Sequence, residues 1–135
     1  MKNKISLQIP SIIENIRVVE SFIDNAKEEF HINDDIYGNI MIAVTESVNN
    51  AIQHGNQSNK DKNVHLTLDI NDHDVCFTVK DEGDGFDPYD IADPLALENI
   101  EDMGGRGIFL IKQLADEVSF SDKGEAIKMV FYMNQ

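Results

Sequence analysis

Val64-His65-Leu66-Thr67-Leu68-Asp69-Ile70-Asn71-Asp72-His73-Asp74-Val75-Cys76-Phe77-Thr78-Val79 is the stretch that decides the fold. Val64, Leu66, Leu68 and Ile70 alternate with polar residues, and Val75, Phe77 and Val79 keep the same two-residue period. That period puts one face of each run in a core and leaves the other toward water. The link Asn71-Asp72-His73-Asp74 is too short for a crossover connection, so the two runs predict an antiparallel hairpin.

Upstream of the hairpin, residues 57–62 are polar and read as a loop. Before them Ile36, Ile40, Ala43, Val44, Ser47, Val48 and Ala51 form one apolar-to-small stripe of helical period, running to about His54 with Gly55 as its stop. Asn33 or Asp34 offers a cap for this helix. Ile12, Ile16, Val19, Phe22, Ile23 and Ala26 predict an earlier helix to about Phe30. Ile5, Leu7 and Ile9 alternate as a first strand, which Pro10 ends by removing a donor, with Ser11 as a cap for the helix that follows.

Downstream, residues 82–104 have no sustained periodicity, and a segment of that length without structure of its own is usually functional in a compact domain. Ile108, Phe109, Ile111, Leu114 and Ala115 predict a short helix. A strand near Val118-Ser119-Phe120, a turn at Ser121-Asp122-Lys123-Gly124 and a last strand over 126–133 complete the chain. The sum is a single domain over residues 1–135 of the α+β class. It is a two-layer sandwich with helices on one face of a mixed, mostly antiparallel sheet.

Composition narrows the function. Asp and Glu outnumber Lys and Arg 25 to 11, for a formal charge of -14. Such a surface repels phosphate backbones and anionic membranes, so no nucleic acid and no membrane is expected as a partner. Met1-Lys2-Asn3-Lys4-Ile5 lacks the apolar core of a secretory signal, and the expected location is the cytoplasm. Cys76 is the only cysteine and reads as a small buried strand residue. His31, His54, His65 and His73 show no zinc-ligand spacing.

Three clusters carry chemistry. Glu46, Asn49, Asn50 and Gln53 fall at three- and four-residue steps beside the apolar stripe of the second helix. There Asn50 offers a neutral oxygen of the kind Mg²⁺ accepts, and Glu46 can orient or deprotonate a hydroxyl; an ordinary polar helix face is the alternative. Asp81-Glu82-Gly83-Asp84-Gly85-Phe86 follows directly on a strand, where an acid and two glycines would let backbone approach a flat ligand; a hairpin turn is the alternative. Gly104-Gly105-Arg106-Gly107 opens the third helix, whose positive end and loop N–H groups suit phosphate, though it matches neither the Walker nor the Rossmann pattern.

Taken in this order, Glu46-Ser47-Val48-Asn49-Asn50-Ala51-Ile52-Gln53-His54-Gly55, Asp81-Glu82-Gly83-Asp84-Gly85-Phe86 and Gly104-Gly105-Arg106-Gly107-Ile108-Phe109-Leu110-Ile111 closely resemble the N box and two glycine boxes of the GHKL ATPase superfamily. Its members include histidine kinases and heat-shock chaperones. Within it, the short length and the form of the N box look like the anti-sigma factor serine kinases of bacteria. The resemblance implies a Bergerat ATP-binding fold with ATP and Mg²⁺ as cofactors. Asp81 would read adenine, Asn50 would hold Mg²⁺, and Glu46 would be the catalytic base. Gly83, Gly85 and Phe86 would shape the adenine side, and Gly104, Gly105, Arg106 and Gly107 would close on the phosphates. Asn49 completes the nucleotide-binding set, and residues 82–104 would act as the ATP lid.

The implied activity is that of a protein serine/threonine kinase. It would phosphorylate a serine on an anti-anti-sigma (STAS) partner and sequester a sigma factor, usually as a homodimer. A catalytically weak, nucleotide-gated binding module is the alternative. The catalytic piece of a histidine kinase would need an acceptor histidine on a helix face, which His31 does not provide. Gly124-Glu125-Ala126 stands where the family tends to have a Gly-Thr pair, so a hydroxyl that would help bind phosphate is replaced by an acid. The expected lid is also acidic, with Asp87, Asp90, Asp93, Glu98, Glu101 and Asp102.

Overall fold

The computed structural model describes residues 3–83, 105–121 and 123–133, with the side chains of residues 105 and 106 outside that description. Strand β1 (Asn3–Pro10) leads through a 3-10 turn (Ile13–Asn15) into α1 (Ile16–Phe30), which ends at His31 in the left-handed conformation, φ 56°. His31 is thus a helix stop, and no helix face presents it. Helix α2 (Asp34–Asn50) starts from Asn33 at its cap and runs on into a π turn (Ala51–Gly55). The predicted hairpin is present as β2 (Asn63–Ile70) and β3 (Asp74–Lys80), paired through Ile70↔Val75 to His65↔Lys80. Helix α3 (Gly105–Leu114), β4 (Glu117–Phe120) and β5 (Ala126–Tyr132) follow.

The sheet order is β1-β2-β3-β5-β4, and every neighbouring pair is antiparallel. Alternation decides the faces. Val64, Leu66, Leu68, Val75, Phe77, Val79, Met129 and Phe131 are buried on the side that carries the helices, where they meet Val19, Ile23, Ile40, Val44 and Val48 of α1 and α2. Phe77 and Phe131 pack edge to face with centroids 6.5 Å apart. Each fully buried side chain of this size is worth roughly 1.5–3 kcal/mol over leaving it exposed, which is what holds the helical layer on the sheet. Cys76 is buried as expected, and burial pushes its thiol up from the ordinary range.

Two local expectations need correction. Ser11 does not cap α1: its hydroxyl donates to the Lys62 carbonyl at 2.7 Å and accepts from Asn56, so it ties the end of β1 to the start of β2. The second helix also does not stay α-helical to His54. Asn56 N–H donates to the Ala51 carbonyl at 2.8 Å, which widens the last turn by one residue and turns Gly55 and Asn56 toward β3.

Candidate functional site

The site is built where β3 leaves the sheet. Asp81 is the next residue after β3 in the row Val75, Phe77, Val79, so its carboxyl points into the helix-facing side, and only 7% of the residue is exposed. The Gly83 N–H donates to its Oδ1 at 2.8 Å. Burial pushes the Asp81 carboxyl above its usual range; the Gly83 N–H opposes this, and the Glu125 carboxylate nearby adds to it.

Glycines make this packing possible. A Cβ on Gly55 would lie 2.2 Å from Asp81 Oδ2, and one on Gly83 would lie 1.9 Å from the Gly55 carbonyl oxygen. The π turn at the end of α2 and the turn after β3 therefore touch with no room for a side chain at either position.

Asn56 holds this contact in place. Two residues past the last ladder pair, His65↔Lys80, the strands have parted, and the Asn56 carboxamide fills the gap. It accepts from the Glu82 N–H at 2.7 Å and donates to the Asn63 carbonyl at 3.0 Å and to Ser11 Oγ at 2.7 Å. Glu82 is tied back from the other side, its carboxylate accepting from the Asn63 N–H at 3.1 Å and meeting His65 Nε2 at 2.7 Å. The His65 bond, then the Asn63 N–H, hold the Glu82 carboxyl below its usual range.

A second cluster lies across the cleft. A Cβ on Gly107 would lie 2.4 Å from Glu46 Oε1 and 2.8 Å from Asn50 Nδ2. The first turn of α3 thus rests on the two polar side chains of α2, in the part of a helix whose N–H groups have no intrahelical partners. A carboxylate, an amide oxygen and a helix amino end in one place can hold a divalent cation together with an anion.

Between the clusters lies a cleft of about 470 Å³, open solvent at its mouth included. Ser47, Asn50, Ala51, His54 and Gly55 of α2 and its π turn form one wall. Val79, Asp81, Gly124, Glu125 and Ile127 form the sheet side, with Ile108, Ile111 and Phe120 at the α3 end. A mostly apolar pocket of this size with a few polar groups fits a flat ring carrying a polar edge.

Of the expected site residues, Asn50 and Asp81 line the cleft, Gly83 abuts Asp81, and Glu46 and Gly107 meet at the α3 end. Gly105 and Arg106 lie in the first turn of α3. Asn49 is half-buried on α2 and is not among the lining residues. Gly85, Phe86 and Gly104, like residues 84–104 as a whole, lie outside the described residues. Asn56 is not among the expected site residues, and Glu125 enters the sequence reading only as a departure from the Gly-Thr pair. Nothing in the spacing of Asn56 marks it. Glu125 was within reach, because counting back by twos along β5 from Phe131, Met129 and Ile127 puts it in the inward row.

Residues 9–131 match the family described as Histidine kinase-like ATPase domain. The serine-protein kinase RsbW of Listeria monocytogenes is 26% identical over 145 residues, covering 100% of this chain and 90% of its own length. The serine-protein kinase RsbW of Staphylococcus aureus is 27% identical over 144 residues, covering 97% of this chain and 87% of its own length. Among solved structures, the RsbU and RsbW domains of Rv1364c from Mycobacterium tuberculosis superpose with a TM-score of 0.67 at 15% identity, over 98% of this chain. This chain spans 32% of that longer one, and the likeness speaks to the fold.

Proposed function

Because the chain belongs to the histidine kinase-like ATPase domain family, we propose that it is an ATP-binding serine kinase that sequesters a sigma factor and phosphorylates a serine on an anti-anti-sigma (STAS) partner. The observation that carries this reading is a single cleft lined by Asp81, Gly55 and Asn50, with Gly83 packed against Gly55 and Gly107 packed against Glu46 and Asn50. The full-length likeness to serine-protein kinases supports it.

In this reading Asp81 accepts a hydrogen bond from the exocyclic amine of adenine, and the side-chain-free contact between Gly55 and Gly83 lets the ring lie close to backbone. Asn50 supplies a neutral oxygen to Mg²⁺. The N–H groups of the first turn of α3, with Arg106, hold the phosphates. Glu46 orients the acceptor serine hydroxyl and takes its proton. Bound Mg-ATP supplies the transferable γ-phosphoryl group, and what the protein contributes is positioning and charge compensation. The cytoplasm is the proposed location, and the working form is a homodimer. Among the described residues no helix is long and apolar enough to cross a membrane.

Calorimetric titration of ADP and ATP with and without Mg²⁺, repeated on Asp81→Asn, tests the pocket; binding should be lost in the variant while its circular dichroism is unchanged. Intact mass of a STAS partner after incubation with Mg-ATP tests the chemistry. One added phosphate is expected, and Glu46→Ala should keep nucleotide binding while transfer falls by at least about 100-fold. Glu125 in the cleft wall, in place of a hydroxyl, favours a second reading, a nucleotide-gated binding module. Unchanged partner mass with intact nucleotide binding would select that one.

A further inference from the structure

Asp81 does not stand alone at its end of the cleft. One step beyond the last β3–β5 ladder pair, Lys80↔Ala126, the Asp81 N–H donates to the Glu125 carbonyl at 2.9 Å. The two acids are therefore opposite one another, and directly opposed residues of an antiparallel pair point to the same face. That face is the inward one, carrying the pairs Val75↔Phe131, Phe77↔Met129 and Val79↔Ile127. Both acids line the cleft.

Like charges placed opposite each other are unfavourable in a sheet, so the pair calls for a reason. The carboxylate of Glu125 is anchored on its own backbone N–H and the Ser121 hydroxyl, interactions that hold it below its usual range. Its Oε2 is buried and has no hydrogen-bond partner among the described residues. A buried acceptor without a donor is costly, and a donor arriving with a ligand relieves that cost.

We propose that Glu125 is a specificity-determining residue of the base pocket, where its Oε2 favours bases that carry a second amine N–H beside the one Asp81 accepts. The inference rests on the nucleotide reading above and goes beyond it. Adenine presents one exocyclic amine, followed by ring N1, which is an acceptor and gains nothing from a carboxylate. 2,6-Diaminopurine carries amines on both sides of N1 and satisfies both acids. Guanine places its O6 acceptor where Asp81 takes a donor. The expected order of affinity is therefore 2,6-diaminopurine, then adenine, then guanine.

The test is calorimetric titration of ADP, 2-amino-ADP and GDP against the full chain and against Glu125→Thr and Glu125→Gln. The unmodified protein should bind 2-amino-ADP about tenfold more tightly than ADP, a difference of about 1.4 kcal/mol. Glu125→Thr should abolish that preference, and Glu125→Gln, whose amide can donate to ring N1, should bind ADP more tightly than the parent. Equal affinity for ADP and 2-amino-ADP, a preference that survives in Glu125→Thr, or GDP as the best ligand would each overturn the role of Glu125 and leave nucleotide binding standing. Absence of binding by all three nucleotides would overturn both.

Discussion

Replacing Asn56 by alanine removes the carboxamide that bridges Ser11, Asn63 and Glu82. Asn56 is 1% exposed, so water does not reach the hole directly. Three partners lose a bond: the Glu82 N–H, the Asn63 carbonyl and Ser11 Oγ, the last of which still donates to Lys62. An unsatisfied buried polar group costs roughly 1–3 kcal/mol. The Asn63 and Glu82 groups are only part-buried, so water recovers some of this and a net loss of about 2–4 kcal/mol is expected. With an unfolding entropy of about 2.1 cal/mol/K per residue, the midpoint should fall by roughly 7–14 °C. Thermal unfolding followed by circular dichroism reads this directly. A cycle with Ser11→Ala should show coupling of at least about 0.5 kcal/mol, since the two side chains share a hydrogen bond. A midpoint within about 2 °C of the parent, or strictly additive single and double variants, would refute the claim that Asn56 clamps the turn after β3.

Gly107→Ala puts a methyl where Glu46 Oε1 and Asn50 Nδ2 lie, and both are ends of flexible side chains that can swing aside. Its melting point should stay within about 3 °C of the parent while phosphoryl transfer to a STAS partner falls by at least about tenfold, because small displacements of positioning groups are costly to rate. Asp81→Asn carries a pH signature. The folded-state pKa of Asp81 lies above the unfolded value, so its favourable contribution is fully present below the unfolded pKa and is lost as pH rises through the folded one. The variant should therefore melt higher than the parent at about pH 7, and the gap should narrow as pH falls through the folded pKa and close only below the unfolded value of about 3.9. A gap independent of pH in scans across that range would place the effect elsewhere.

The two clusters share one construction principle. Each relies on a glycine whose absent side chain lets a polar group approach backbone: Gly55 against Asp81, and Gly107 against Glu46 and Asn50. The Asp81 carboxyl can then stay inward because the Gly83 N–H offsets part of its burial.

Periodicity alone determined the elements: the two-residue alternation of Val64 to Ile70 and of Val75 to Val79, and the three- and four-residue steps of Ile36 to Ala51, recur as β2, β3 and α2. These signals are local, because a side chain's face follows from its own backbone geometry. The order of acid and glycine clusters likewise marks Asp81, Asn50, Glu46 and Gly107. The sequence carried no comparable signal for Asn56, whose value comes from a gap between Asn63 and Glu82 that exists only once β2 and β3 have parted. Nor did it announce the Ser11 tie to Lys62, the π turn over Ala51–Gly55, or the pairing of Asp81 with Glu125 across two strands. Those depend on residues distant in the chain becoming neighbours, and the energy of a buried polar group is decided by which partners surround it after folding.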